Sequence, residues 1–252
     1  MSNEREFFKK RLSELATRAY ASGVFTFTDF LGLEEQSLFS EVKNTLGGIK
    51  YTVFGGTAGT ERIMVRFGDE EELGWCCDFP IVTLKIEPKA KKWADKLTHR
   101  DILGALMNLG IERSQLGDIV IRDKEAYLFA KTTVSDFIMQ ELTRAKHTDL
   151  LVSAVDTVPE GELYKTEDIT VQCASQRADA VIARAFSLSR EDSQELFRVG
   201  RVFINGRCTE SVARELSCGE IVSVRGLGRF IFSGQISTSK KGKLNLLVKR
   251  FV

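Results

Sequence analysis

The sequence predicts an α+β chain built from three parts. Helical and strand-like apolar periodicities follow one another along the chain, glycines and prolines separate them, and charge is divided unevenly between the two ends. The predicted parts are an N-terminal α+β domain at residues 1–72, a central domain at 73–158, a linker at 159–176 and a C-terminal module at 177–252 that ends in a β-hairpin extension. Within the linker, ITVQC at 169–173 could form a strand.

The N-terminal domain is expected to begin with an amphipathic helix over residues 4–20, where apolar side chains recur at helical spacing. Thr28 is a candidate N-cap for a short helix, and another helix is predicted over 38–46. Two strands then flank a glycine-rich loop in IKYTVFGGTAGTERIMVRFG, residues 49–68. The loop lacks the Gly-Lys-Ser/Thr ending of a phosphate-binding P-loop, so we interpret it as a hairpin connection.

The central domain has the predicted order β-α-β-β-α-β. Thr98 can cap its first helix and Gly110 can end it, while Thr133 or Ser135 can start the second. The strands are predicted at 81–88, 118–123, 126–131 and 149–156, and the helices at 99–110 and 136–145. This order is ferredoxin-like, a plan that RNA-recognition domains share.

Tyr127 and Phe129 lie on one face of an inner strand of that plan, where aromatic side chains could stack on bases. The ribonucleoprotein sequence pattern is absent, so we expect both side chains to pack in the core.

The C-terminal module is predicted to contain two helices followed by short strands. Ser175 can cap a helix over 177–186, and Ser189 with Asp192 resembles a capping box for a helix over 190–200. Gly200 suits a left-handed helix end, and Asn205-Gly206 suits a tight turn. The strands are predicted at RVFI, GEIVSV, RGLGRFIFSGQ and KLNLLVKRFV, the last two joined through STSKKGK.

Charge distinguishes this module from the rest of the chain. Residues 177–252 hold 14 Lys+Arg and 7 Asp+Glu, whereas residues 1–176 hold 22 and 28. An acidic body joined to a basic end favours a polyanionic partner for the basic end. A basic solvated face without a partner is the alternative.

The arginines of the module are placed as a phosphate-binding surface would need them. Arg190 starts a helix, where backbone N–H groups favour anions, and Arg198 and Arg201 bracket its end. Arginine forks match phosphate oxygens in two-point geometry. Lys240, Lys241 and Lys243 form a basic hairpin tip that either contacts phosphate or is only solvated.

These residues resemble an S4 RNA-binding domain. The resemblance lies in Arg177-x-Asp179, Ser189-Arg190, Gly200-x-Val202, Asn205-Gly206 and Gly219-Glu220-x-Val222. In addition, residues 98–121 and the RGLGRF stretch at 225–230 are similar to the YlmH family of bacterial S4-domain RNA-binding proteins, and that similarity covers nearly the whole chain.

The resemblance implies an N-terminal domain, a central RNA-recognition-like domain and a C-terminal S4 domain. It also implies a gene near bacterial cell-division genes, and an association with ribosome-bound peptidyl-tRNA and the rescue of stalled large ribosomal subunits. The RNA-binding residues expected are Arg177, Ser189, Arg190, Arg198, Arg201, Asn205, Arg207, Arg225, Arg229, Lys240, Lys241 and Lys243.

Catalysis, cofactors and metals are not expected. The signatures of S4-bearing pseudouridine synthases and tyrosyl synthetases are missing, no G-x-G-x-x-G follows a strand, and the five cysteines form no C-x-x-C pair. His99-Arg100-Asp101 spells the kinase tripeptide without the other kinase motifs, and a helix N-terminus is the better interpretation.

We therefore expect a non-enzymatic protein that binds rRNA, tRNA or both at the large subunit of the bacterial ribosome. No apolar run is long enough for a membrane span, and a cytoplasmic location is expected. Two alternatives stay open: an RNA-modifying enzyme that docks through S4, and a protein-interaction factor linked to cell division.

Overall fold

The computed structural model describes residues 2–90, 95–159, 161, 163–239 and 242–251. The chain mixes helix and sheet, which confirms the α+β prediction, and it divides into two compact units, Met1–Leu163 and Tyr164–Val252. None of the helices in the described ranges combines the length and apolar character that crossing a bilayer requires.

Among its described residues, the first unit contains five α-helices and eight strands. The helices are α1 (Ser2–Ser22), α2 (Leu33–Val42), α3 (Glu70–Leu73), α4 (His99–Asn108) and α5 (Thr132–Glu141). The strands are β1 (Thr26–Phe27), β2 (Tyr51–Phe54), β3 (Met64–Phe67), β4 (Ile81–Pro88), β5 (Leu116–Arg122), β6 (Glu125–Lys131), β7 (Arg144–Ala145) and β8 (Thr148–Val155). They form two antiparallel sheets, in the orders β1-β3-β2 and β5-β6-β4-β8-β7.

The expectations for the N-terminal part hold for α1 and for the hairpin of β2 and β3, but not for Thr28. Its hydroxyl accepts a hydrogen bond from Val65 N at 2.9 Å and donates to Asp29 O at 2.7 Å. Thr28 therefore ties the chain to β3 instead of capping a helix. Helix α2 begins after Gly32, earlier than predicted, and Lys43–Thr45 continue it as a 3-10 turn.

The central part has the predicted order β-α-β-β-α-β, with β7 added. Thr98 caps α4 in a reciprocal capping box with Asp101, and Gly110 follows the helix at φ +80°. Helix α5 ends at Glu141, four residues before its predicted end. The chain then forms the short hairpin of β7 and β8, in which Arg144 pairs with Asp149.

The loop between β2 and β3 fastens the two sheets together. Arg62 donates from Nε to Leu116 O at 2.9 Å and from Nη2 to Phe30 O at 2.8 Å. The buried carboxylate of Asp118 accepts from the backbone N–H of Glu61 at 2.5 Å. The glycine-rich loop is thus a structural clamp within the first unit.

The two faces of the five-stranded sheet are buried differently. One face packs against α4 and α5 through Leu84, Leu128 and Ile138. The other face is covered by the N-terminal part, so that Tyr127 is 5% exposed and Phe129 fully buried. The prediction that both aromatic side chains pack in the core is confirmed.

The second unit places two helices on one face of a six-stranded antiparallel sheet, whose order is β11-β10-β12-β13-β14-β9. The helices are α6 (Ala178–Ala185) and α7 (Arg190–Arg198). The strands are β9 (Thr166–Cys173), β10 (Val202–Ile204), β11 (Arg207–Cys208), β12 (Ile221–Val224), β13 (Gly228–Thr238) and β14 (Leu244–Phe251).

Two local expectations are corrected in this unit. Much of the predicted linker is strand β9, which pairs with β14 along its whole length, because its alternating side chains bury Val171 and Cys173 against the helices. Helix α6 begins after Arg177, whose backbone bridges to Glu215, so Ser175 is not its N-cap. The Gly200, Asn205 and Gly206 expectations hold, since all three adopt positive φ.

Gly56 tests the packing between the loop and the central sheet. It has φ +108°, and a Cβ added there would lie 2.2 Å from Cδ1 of Phe129. Gly56→Ala should therefore lower the free energy of unfolding of the full chain by about 2–4 kcal/mol. Gly104→Ala is the matched control, because Gly104 is exposed in α4 with open space around it and should gain about 0.5–1 kcal/mol. Urea unfolding measures both, and equal stabilities would contradict this packing.

Candidate nucleic-acid interface

Asp179 organises the start of the two helices in the second unit. Its side chain is fully buried and accepts hydrogen bonds from Arg177 Nε at 3.1 Å and Arg177 Nη2 at 3.2 Å. Arg190 Nε and Gln194 Nε2 donate to the same carboxylate at 3.2 and 3.1 Å. The Ser193 hydroxyl donates a hydrogen bond to Asp179 O at 2.8 Å, which links α7 directly to α6. One carboxylate therefore fixes two guanidinium groups and joins two helices.

The charge of this carboxylate is maintained by its neighbours. Burial by itself would raise the pKa of Asp179, but the hydrogen bonds from Arg177 and Gln194 and the charge of Arg190 outweigh burial and hold the pKa below its usual value. Asp179 thus stays ionised at neutral pH and keeps the two arginines oriented.

The two arginines are not equally available to a ligand. Arg177 uses two donors on Asp179 and its side chain is 33% exposed, whereas Arg190 bonds Asp179 through Nε and its side chain is 54% exposed. Arg190 can therefore present the rest of its guanidinium to an anion while Nε stays anchored.

A cavity of about 350 Å³ lies beside this network. Arg184, Arg190 and Lys243 line it together with Ser189, and Cys173 is also part of its wall. Burial raises the pKa of the Cys173 thiol, which favours the neutral form. The cavity thus gathers three cations from α6, α7 and the β13–β14 hairpin, and suits a phosphate group.

Ser189 and Asn205 act locally on the backbone. The Ser189 hydroxyl accepts from Asp192 N at 3.0 Å and donates to Asp192 Oδ2 at 2.6 Å, which confirms it as the N-cap of α7. Asn205 Oδ1 accepts from Ile221 N at 2.9 Å and fixes the turn after β10. Arg207 follows this turn, half-buried on the edge strand β11.

The remaining arginines lie elsewhere. Arg198 ends α7 and pairs with Glu195 at 2.5 Å, and Arg201 O accepts from Arg225 N at 2.9 Å. Arg225 stacks over the Phe203 ring at 4.3 Å, and Arg229 over the Phe251 ring at 4.0 Å. Phe203 pairs with Ser223, which pairs with Arg229, so these stacked cations share the sheet face opposite the helices.

The predicted cationic residues consequently form two clusters. Arg225 precedes Gly228 at one end of β13, while Lys243 precedes Leu244, which pairs with Thr238 at the other end. An 11-residue strand separates these ends by about 30 Å. Arg184, Arg190 and Lys243 form a helix-side cluster around the cavity, and Arg225 and Arg229 form a second cluster on the opposite sheet face, at the other end of β13 from Lys243. Lys240 and Lys241 lie outside the described residues.

Two residues in or beside the helix-side cluster were absent from the predicted set. Asp179 was visible in the sequence as part of the Arg-x-Asp motif, and Arg184 as a polar position on a helix with an apolar face. Only the packing shows that Asp179 anchors the arginines and that Arg184 lines the cavity.

Known proteins match this chain over its central part and over most of its length. The family model described as "Putative RNA-binding domain in YlmH" matches residues 76–158. "Ribosome-associated protein quality control protein P2" of Bacillus subtilis (strain 168) is 29% identical over 231 residues, which cover 88% of this chain and 86% of that protein. The chain is thus similar to YlmH-type proteins over its central part and over most of its length.

One solved structure of the family is also similar. "Cell division protein ylmH from Streptococcus pneumoniae" is 21% identical and matches 62% of this chain and 93% of that chain, with a TM-score of 0.48. The described residues contain no group of three or more His, Cys, Asp or Glu placed to hold a metal ion, and the five cysteines are free thiols.

Removing the anchoring carboxylate tests its structural role. Asp179→Asn should lower the free energy of unfolding by about 2 kcal/mol, because two arginines lose a buried anionic partner while water screens the more exposed Arg190. Asp168→Asn, an exposed position on β9, should change it by less than about 0.5 kcal/mol. Urea unfolding of the full chain measures both variants, and equal values would contradict the anchoring role.

The lowered pKa of Asp179 also predicts a pH dependence. A carboxylate whose folded pKa lies below its unfolded value of about 3.9 contributes its full stabilisation above that value and loses it as pH falls through the folded pKa. The stability difference between the natural chain and Asp179→Asn should be constant from pH 8 to 5 and shrink between pH 4 and 3. Urea unfolding across this range measures it, and a growing difference in acid would refute the assignment.

Proposed function

We propose that this chain is a non-enzymatic, cytoplasmic RNA-binding protein that contacts rRNA and tRNA at the large ribosomal subunit and serves in the rescue of stalled peptidyl-tRNA complexes. Its second unit would act as an S4 domain with a β-hairpin extension, following an N-terminal domain and an RNA-recognition-like domain. The similarity to a Bacillus subtilis protein named for ribosome-associated quality control supports the setting, and the family model supports RNA as the ligand.

The helix-side cluster is the observation on which this proposal depends. Arg184, Arg190 and Lys243 converge on one cavity, and the buried Asp179 holds Arg190 before any ligand arrives. A preoriented guanidinium loses less side-chain entropy when it binds a phosphate than a freely rotating one does. The cavity is therefore proposed to receive a phosphate of the RNA backbone, with Lys240 and Lys241 contributing from the hairpin tip.

The other predicted residues take supporting parts in this proposal. Arg177, Ser189 and Asn205 would hold the helices and the turn in place for RNA, with Arg207 beside the turn. Arg198, Arg201, Arg225 and Arg229 would contact a second stretch of the RNA backbone.

The role of the cavity can be tested by measuring how substitutions of its cationic residues change the affinity for RNA. Arg184→Gln/Lys243→Gln in the full chain should weaken binding to unfractionated tRNA by at least about tenfold and reduce the log–log salt slope by about 1.8, which is two phosphate contacts. Lys165→Gln/Lys249→Gln removes the same charge from exposed positions of the same unit and should change affinity less than about twofold. Fluorescence anisotropy at several salt concentrations gives both values.

Co-sedimentation with large ribosomal subunits then tests the biological setting. The natural chain and the Lys165→Gln/Lys249→Gln control should pellet with the subunits, whereas the cavity variant should remain in the supernatant. If the cavity variant bound tRNA and subunits like the control, the cavity would not be the RNA site. If the natural chain failed to pellet, the ribosomal setting would be wrong.

A further inference from the structure

The first unit cannot use the sheet face by which RNA-recognition domains usually stack bases. Phe129 is fully buried and Tyr127 nearly so, beneath Phe30 and Met64 of the N-terminal part. A Cβ added to Gly56 would lie 2.2 Å from Cδ1 of Phe129, so the backbone of the glycine-rich loop lies directly against that ring. A role of residues 76–158 in RNA binding therefore requires another surface.

Exposed cations gather at one end of the same sheet. Lys89 follows β4, Lys96 and Arg100 flank the start of α4, and Arg144 and Lys146 belong to the β7–β8 hairpin. All five are exposed. We call them the α4-end surface.

Two hydrogen bonds and an ion pair bring the three chain segments of this surface together. Lys89 N donates to Asp149 O at 2.9 Å, and Asp95 N donates to Thr148 Oγ1 at 3.0 Å. Lys146 Nζ lies 2.9 Å from Asp101 Oδ2 in the first turn of α4. The cations of the three segments are therefore neighbours, although Arg144 and Lys146 follow Arg100 by more than 40 residues.

The carboxylates near this surface are fewer and largely engaged. Asp101 accepts from Thr98 and pairs with Lys146, and these bonds, that of Thr98 first, lower the pKa of Asp101 to about 2. Asp149 lies 4.0 Å from Arg144, and Asp95 is exposed. Five cations thus outnumber three carboxylates, within a stretch of chain, residues 1–176, that holds 22 basic and 28 acidic residues. A local excess of positive charge on an acidic body marks a specific place for an anion.

We propose that the α4-end surface is a second RNA-contacting surface of this chain, which grips the phosphate backbone of a structured RNA. The inference rests on the proposed RNA binding of the chain and assigns it a separate site in the first unit. Lysine and arginine heads on a helix start and a hairpin can follow a phosphate backbone but cannot read bases in the deep groove of duplex RNA. Binding here should therefore depend on shape and salt more than on sequence.

A matched pair of triple variants tests the surface in the full chain. Lys96→Gln/Arg100→Gln/Arg144→Gln should weaken binding to an RNA hairpin of about 16 base pairs by at least about tenfold, and should reduce the log–log salt slope by about 2.7. Lys10→Gln/Arg11→Gln/Arg18→Gln removes one lysine and two arginines from exposed positions of α1, and should change affinity less than about twofold. All six positions are exposed, so thermal unfolding of both variants should match the natural chain.

Combining this triple with the cavity variant separates the two sites. If the α4-end triple weakens hairpin binding both alone and in the Arg184→Gln/Lys243→Gln background, the second surface is supported. If only the cavity variant weakens binding, the second surface is refuted while the proposed function stands. If neither does, RNA binding by both sites is refuted.

A membrane surface is the competing anionic partner. The same variants would be mixed with phosphatidylserine vesicles and sedimented. Loss of vesicle binding in the α4-end triple, with hairpin affinity unchanged, would overturn the proposal in favour of a lipid surface. Unchanged vesicle behaviour, together with weakened hairpin binding, would support RNA.

Discussion

The carboxylate of Asp179 is the constraint on which the second unit depends. It is buried, yet it stays charged because Arg177, Gln194 and Arg190 satisfy it from two helices. A buried charge without partners would be costly, so the packing of α6 on α7 and the orientation of the arginines are coupled. The fold and the cationic cavity therefore share a single interaction, and a change that frees the carboxylate disturbs both.

The length of the β13–β14 hairpin determines how far apart the cationic side chains of the second unit lie. It brings Lys243 to the cavity beside α6 and α7, and it keeps the Arg225 and Arg229 region at the other end of the sheet. Charges separated by about 30 Å are screened from each other at physiological salt, where the Debye length is about 8 Å. Lys243 and the Arg225 and Arg229 region therefore interact little with each other, and a ligand that touches both must span that distance.

In the first unit, the sheet face on which RNA-recognition domains usually stack bases is buried. The clamp made by Arg62 and Asp118 holds the N-terminal part against the central sheet, which buries Tyr127 and Phe129. The aromatic side chains that could stack bases instead stabilise the contact between two sheets. Positive charge is left at the start of α4 and on the β7–β8 hairpin, where the sheet does not need it for packing.

The sequence by itself determined the α+β class and the order of the central strands. It also determined the helix caps at Thr98 and Ser189 and the positive-φ positions at Gly200 and Asn205-Gly206, because capping and positive φ depend on neighbouring residues. It also marked the basic end of the chain and most of the helix-side cluster. Only the tertiary structure decided that residues 166–173 pair with β14, that Asp179 is the shared anchor, and that Lys243 reaches the cavity while Arg225 and Arg229 lie at the other end of β13. Those outcomes depend on partners far away in sequence, such as β14 for β9 and Lys243 for Arg184, and local periodicity carries no information about such distances.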